Sequence, residues 1–168
     1  ELWDLNNQEK TFEWNFNTKE ILNNIDVNTR RPNSVYFLNP LLLEDGSIIV
    51  NDIRDDGPLI KISAKGKVIA VNTEYKFHHS LEIDNQGNIY APILTKDNYP
   101  GGADFREEGF AILDKNLKVL KVFLLSEIYE NSPFNYKIFS VDSNKDPFHL
   151  NDVAPLYDSE ETKVVLLS

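Results

Sequence analysis

The only three histidines in the chain, His78, His79 and His149, stand with Asn151 at the mouths of two short apolar runs, KFHHSLEI (76–83) and DPFHLNDV (146–153). A protonated imidazole and an asparagine amide are polarised donors that can hold an oxyanion while its charge shifts, and a neutral imidazole can attack as a nucleophile. Period-two alternation would put His149, Asn151 and Val153 on one strand face and Leu150 and Asp152 on the other. By the same rule His79, Leu81 and Ile83 share a face, which makes His79 the ring anchored beside the core and His78 the freer one. A one-residue bulge would reverse that assignment. A histidine at the mouth of a strand also serves simply as a hydrogen-bonded cap for loop backbone, and for His78 or His79 taken singly that is the better explanation. His149 with Asn151 points to function, because two polar side chains on one strand face are hard to explain by packing.

The elements around these residues are hairpins. LLLEDGSIIVND (41–52), SLEIDNQGNIYAPI (80–93) and VAPLYDSEETKVVLLS (153–168) each join two apolar runs through a turn of Asp, Gly or Asn, which is hairpin chemistry. A second kind alternates with them: PLIKISAKGKVIAVN (58–72), GFAILDKNLKVLKVFLL (109–125) and ELWDLNNQEKTFEWNF (1–16). The alternation predicts four-stranded antiparallel units repeating every 40 to 50 residues or so, in the range of propeller blades. The expected fold is therefore all-β, a β-propeller. In that fold the first strand of each blade lines a central channel, so histidines at equivalent strand mouths of successive repeats should converge on the axis.

The repeats divide the chain into a partial blade at 1–16, a helix and loop at 17–34, blades at 36–74 and 78–125, an insertion at 126–147 that starts as a helical turn, and the first hairpin of a further blade at 148–168. Within 17–34 the helical spacing of Ile21, Leu22 and Ile25 marks the helix. TKDNYPGGADFREE (95–108) has the composition of a long loop. Two full blades and two half blades fall short of the four or more that closure requires, so the missing blades are expected from the rest of the chain or from another copy. Trp3 and Trp14 read as core or blade-edge aromatics.

Composition bounds the function. With 168 residues, 41% hydrophobic and 26% charged, the chain can bury one substantial core. Seventeen basic against 27 acidic residues give a net charge of −10, which disfavours nucleic acid and anionic membranes as partners. No apolar run reaches the roughly 18 residues that would cross a bilayer, and no signal segment opens the chain. Cysteine and methionine are both absent, so no thiolate site exists, and the missing methionine suggests a processed or excised piece. No cofactor or metal is implied. Local metal-ligand spacing is lacking, and DSNKD (142–146), which imitates the start of a calcium loop, meets Pro147 where the turn glycine belongs. No phosphate-cradling loop, nucleophile elbow or nucleotide fingerprint occurs.

HLNDV followed by a hairpin ending VVLLS, with HHSLEIDNQGNI one repeat earlier, resembles the arylsulfotransferase family from about residue 36 onward. The resemblance implies a six-bladed propeller in which a channel histidine is transiently sulfated. An aryl sulfate and a phenol would be the substrates, in a periplasmic or extracellular setting. It matches His149 and Asn151 to the family's His-x-Asn pair and His78 or His79 to an earlier channel histidine. The family's arginine would fall just beyond Ser168 and the nucleophilic histidine later still, so this stretch alone would not complete the reaction. Arg54, after IIVND, sits at the corresponding strand end of an earlier repeat as a candidate substrate-binding residue; Asp52, Asp55 and Asp56 holding it in a surface charge network is the stronger reading. A propeller that binds a ligand or partner without turnover is the alternative function.

Overall fold

The structure is a computed structural model, and it describes residues 1–24, 36–52, 57–95, 107–133, 135, 148–156 and 164–167. The fold is all-β, built of antiparallel sheets that lie open rather than closing on themselves. Strands β1 (Leu2–Asp4) and β2 (Glu9–Phe12) form a hairpin, and α1 (Thr18–Asn24) follows. A four-stranded sheet comes next, in the order β3 (Phe37–Leu42), β4 (Ile48–Asp52), β5 (Leu59–Ile62) and β6 (Val68–Asn72). The second sheet contains β7 (Lys76–Phe77), β8 (Glu82–Ile83), β9 (Ile89–Leu94), β10 (Glu108–Leu113) and β11 (Val119–Leu124). The short helix α2 (Leu125–Glu130) follows, and β12 (Val153–Leu156) pairs with β13 (Val164–Leu167).

The same five-residue turn recurs in four hairpins. In Leu43–Ser47, Ser63–Lys67, Asp84–Asn88 and Asp114–Lys118, the first N–H donates to the last carbonyl and the fourth N–H donates back to the first carbonyl. The fourth residue has to take a positive φ, and Gly46, Gly66 and Gly87 do so without a Cβ penalty. Leu117 fills that place in the last turn at φ 65°. Gly66 has a further reason to be glycine, since a Cβ there would stand 1.8 Å from the Asn15 carbonyl oxygen.

Strand alternation then divides the core into layers. Ile48 and Val50 face Trp14, Phe16 and Ile21 of the N-terminal segment, while Ile49 packs with Leu59 against Phe77, Ile89, Ile93 and Leu113 of the second sheet. Phe110 faces the other way, onto Leu150 and Val153 of the last hairpin. Of the two tryptophans, Trp14 packs as expected and donates Nε1–H to the Gly46 carbonyl at 3.0 Å. Trp3 instead stands exposed, its Nε1–H donating to Glu1 Oε2 at 3.1 Å.

β7 and β8 are one interrupted strand. Phe77 pairs with Ile93 and Glu82 with Tyr90, so His78, His79, Ser80 and Leu81 lie opposite only Ala91 and Pro92. A similar break occurs in β3, where Asn39 and Pro40 bulge between Leu38 and Leu41. Each break carries one non-glycine residue in the left-handed region, Asn39 at φ 43° and His79 at φ 55°, and His149, ahead of β12, joins them at φ 44°.

Candidate functional site

The breaks decide where the histidines point. The His78 and His79 ring centroids are 4.9 Å apart at 77°, and the His79 and His149 centroids are 5.7 Å apart at 61°. Three rings from two strand mouths thus form one edge-to-face row. His149 and Asn151 are exposed, so that end of the row opens to solvent, while His78 and His79 are half-buried.

Two expectations drawn from alternation need correction. Alternation makes His78 the freer ring, yet its Nε2 is buried. The four-residue break and the left-handed His79 cancel strict alternation through this segment, as a bulge does. At the second strand mouth β12 begins only at Val153, so no common strand face carries His149 and Asn151. Asn151 instead turns back, its Nδ2–H donating to the His149 carbonyl at 3.0 Å. Arg54 lies outside the described residues, as does the DSNKD segment.

The backbone beside His79 and His149 is held by buried polar groups from the preceding sheet, a signal that sequence reasoning missed. Alternation in β4 places Asn51 beside Ile49 on the face toward the second sheet, where it is 0% exposed. Its Nδ2–H donates to the His79 carbonyl at 2.8 Å. The Ser80 N–H, on the same peptide group, donates to the Asn151 carbonyl at 3.3 Å. Alternation in β10 likewise places Glu108 beside Phe110, and Glu108 Oε2 accepts the Leu150 N–H. The peptide after His79 is therefore held at both its oxygen and its N–H, and so is the peptide after His149, whose oxygen takes the Asn151 amide.

Carboxylates flank the row at matching places, Glu82 three residues after His79 and Asp152 three residues after His149. Burial pushes the Glu82 carboxyl above its usual range, and the Asp152 charge adds to the effect. Asn51 Oδ1, Ser80 Oγ and Asp152 Oδ1 are buried and have no hydrogen-bond partner among the described residues. Among the described residues, no group of three or more His, Asp or Glu side chains is arranged to hold a metal ion. The row can offer ring N–H donors and lone pairs to a small polar group at its open end.

No protein-family model matches the chain, and no curated protein or solved structure matches it either.

Proposed function

We propose that the chain is part of a β-propeller that transfers a sulfuryl group from an aryl sulfate to a phenol, with His149, His79, His78 and Asn151 around the transferred group. The observation that supports this most is the close approach of His79 and His149, 5.7 Å between centroids, from two separate strand mouths. The chemistry needs donors for three outer oxygens whose charge changes as the sulfur–oxygen bond to the leaving group breaks. It proceeds in two displacements. An imidazole nitrogen attacks sulfur and the aryl oxide leaves; a phenol oxygen then attacks the sulfo-imidazole, gives up its proton and restores the free ring. In this reading the four named side chains bind and polarise the group, and the attacking histidine belongs to sequence beyond Ser168. The four-stranded sheets are blades, six of them in the whole ring, and an exported setting goes with the substrates. Among the described residues no helix is long and apolar enough to cross a membrane.

A second reading is recognition of an anionic ligand or partner without turnover. The Asn151 Nδ2 bond to the His149 carbonyl favours it, because one of the amide's donor hydrogens is spent inside the loop. With the chain extended past Ser168, release of p-nitrophenol from p-nitrophenyl sulfate, dependent on a phenol acceptor and abolished by His149→Ala, is the outcome expected of the first reading. Binding of p-nitrophenyl sulfate, seen as shifts of the histidine ring resonances, without release of p-nitrophenol by the chain extended past Ser168, would replace it with the second.

A further inference from the structure

We infer that Asn51 is a positioning residue for the histidine row, holding the ring of His79 at its distance from His149. The inference rests on the proposed role of that row, which it deepens by naming a residue of the neighbouring sheet that acts on it.

A left-handed φ is uncommon for a residue with a Cβ and persists only where the surroundings over-determine it. His79 has φ 55°. Its ψ and the φ of Ser80 are fixed by the orientation of the peptide group between them. That group is strung between two partners, its oxygen on Asn51 Nδ2 at 2.8 Å and its N–H on the Asn151 carbonyl at 3.3 Å. Asn151 belongs to the segment that carries His149, so the peptide ties the backbone of one histidine to that of the other. Asn51 supplies the opposite pull from β4, rooted in a layer where Ile49 and Leu59 are fully buried.

The same device appears elsewhere in the molecule, which argues that it is a way of holding left-handed backbone. Leu117 has φ 65°, and its carbonyl accepts Asn72 Nδ2–H at 2.7 Å. In both places a buried asparagine of the first sheet grips the carbonyl of a left-handed residue in the second. Of these two grips, it is that of Asn51 that lies beside the imidazoles.

The test needs no sulfuryl donor, so it can fail or succeed apart from the transfer reading. In the wild-type protein, Asn51 Nδ2 should show a through-hydrogen-bond scalar coupling to the His79 carbonyl carbon and slow exchange of its amide protons. Ring protons of His79 and His149 should show a nuclear Overhauser effect, and His149→Gln should displace the titration of His79. Asn51→Ala should abolish the Overhauser effect and reduce that displacement by roughly half or more, since coupled titration falls with separation. Asn72→Ala, which removes an equivalent bond on the Leu117 turn, should leave both unchanged. Retention of both signals in folded Asn51→Ala overturns the inference. Should that variant not fold, absence of the coupling in the wild type overturns it.

Discussion

Glu108 Oε2 accepts the Leu150 N–H across 42 residues of sequence, with Glu108 only 1% exposed. Ordinary strand alternation would make this position apolar, like Phe110 two residues on. A carboxylate there orders the peptide that leaves His149. Glu108→Ala strands a buried N–H, so it should lower stability by about 2–3 kcal/mol. Glu108→Gln keeps an oxygen at the same reach and should lose less than half of that. Urea denaturation of the two variants measures the difference. Equal losses would show that the side chain's volume, and not the hydrogen bond, holds the segment.

Its neighbour Glu107 should set part of the pH dependence of stability. Glu107 Oε1 accepts the Ser126 N–H at 3.3 Å, and Oε2 has no partner among the described residues. Burial pushes its carboxyl above the usual range, more than the hydrogen bonds from Ser126 hold it down, and the charges of Glu127 and Glu130 push it further. A carboxyl whose pKa is raised on folding binds its proton more tightly in the folded chain. Its contribution is therefore complete below the unfolded pKa and is lost as pH rises through the folded one. Glu107→Gln keeps the acceptor and removes the ionisation. It should match the wild type in acid and exceed it at neutral pH, with the gap opening just above the ordinary glutamate range. A difference curve of unfolding free energy against pH that stays flat would disprove this.

Asp152→Asn should move Glu82. Burial is the larger reason that the Glu82 carboxyl lies high, and the Asp152 charge is the second. Neutralising Asp152 removes only the second, so the Glu82 pKa should fall part of the way and stay above that of an exposed glutamate. Titration of the carboxyl carbon by NMR in both proteins reads the change directly. A rise, or a fall to the ordinary value, would mean that the two causes are ranked wrongly.

The hairpins were legible because their determinants are local. Asp45, Gly46, Asp84 and Gly87 announce their turns, and β-branched runs flank them. The proximity of His79 to His149 was also expected from sequence, where both stand at the mouths of short apolar runs. The orientation of each ring did not. Alternation assumes continuous strand, whereas left-handed His79 and His149 interrupt it, and no residue type at these positions announces a positive φ as glycine would. Asn51 and Glu108 were hidden for a related reason. Each is a polar residue at the end of an apolar run whose partner is a backbone atom distant in sequence, so nothing in their own neighbourhood reveals it.

The last case of left-handed backbone separates strain from packing. Gln8 at φ 56° is exposed in the turn after β1, and Leu117 at φ 65° is 2% exposed in the core shared by the two main sheets. Glycine relieves roughly 1–2 kcal/mol of steric strain at either place. At Gln8 that gain meets only the extra freedom of the unfolded glycine, about 0.5–1 kcal/mol, so Gln8→Gly should stabilise the protein by up to about 1 kcal/mol. At Leu117 the substitution also empties a buried site, and a leucine truncated in a core costs about 2–5 kcal/mol. Leu117→Gly should therefore destabilise the protein by about 1–5 kcal/mol, although it relieves the same torsion. Thermal unfolding of the two single variants decides the matter by sign. Two stabilised proteins would mean that Leu117 is held in place by Asn72 at the expense of its backbone, with little return from its packing.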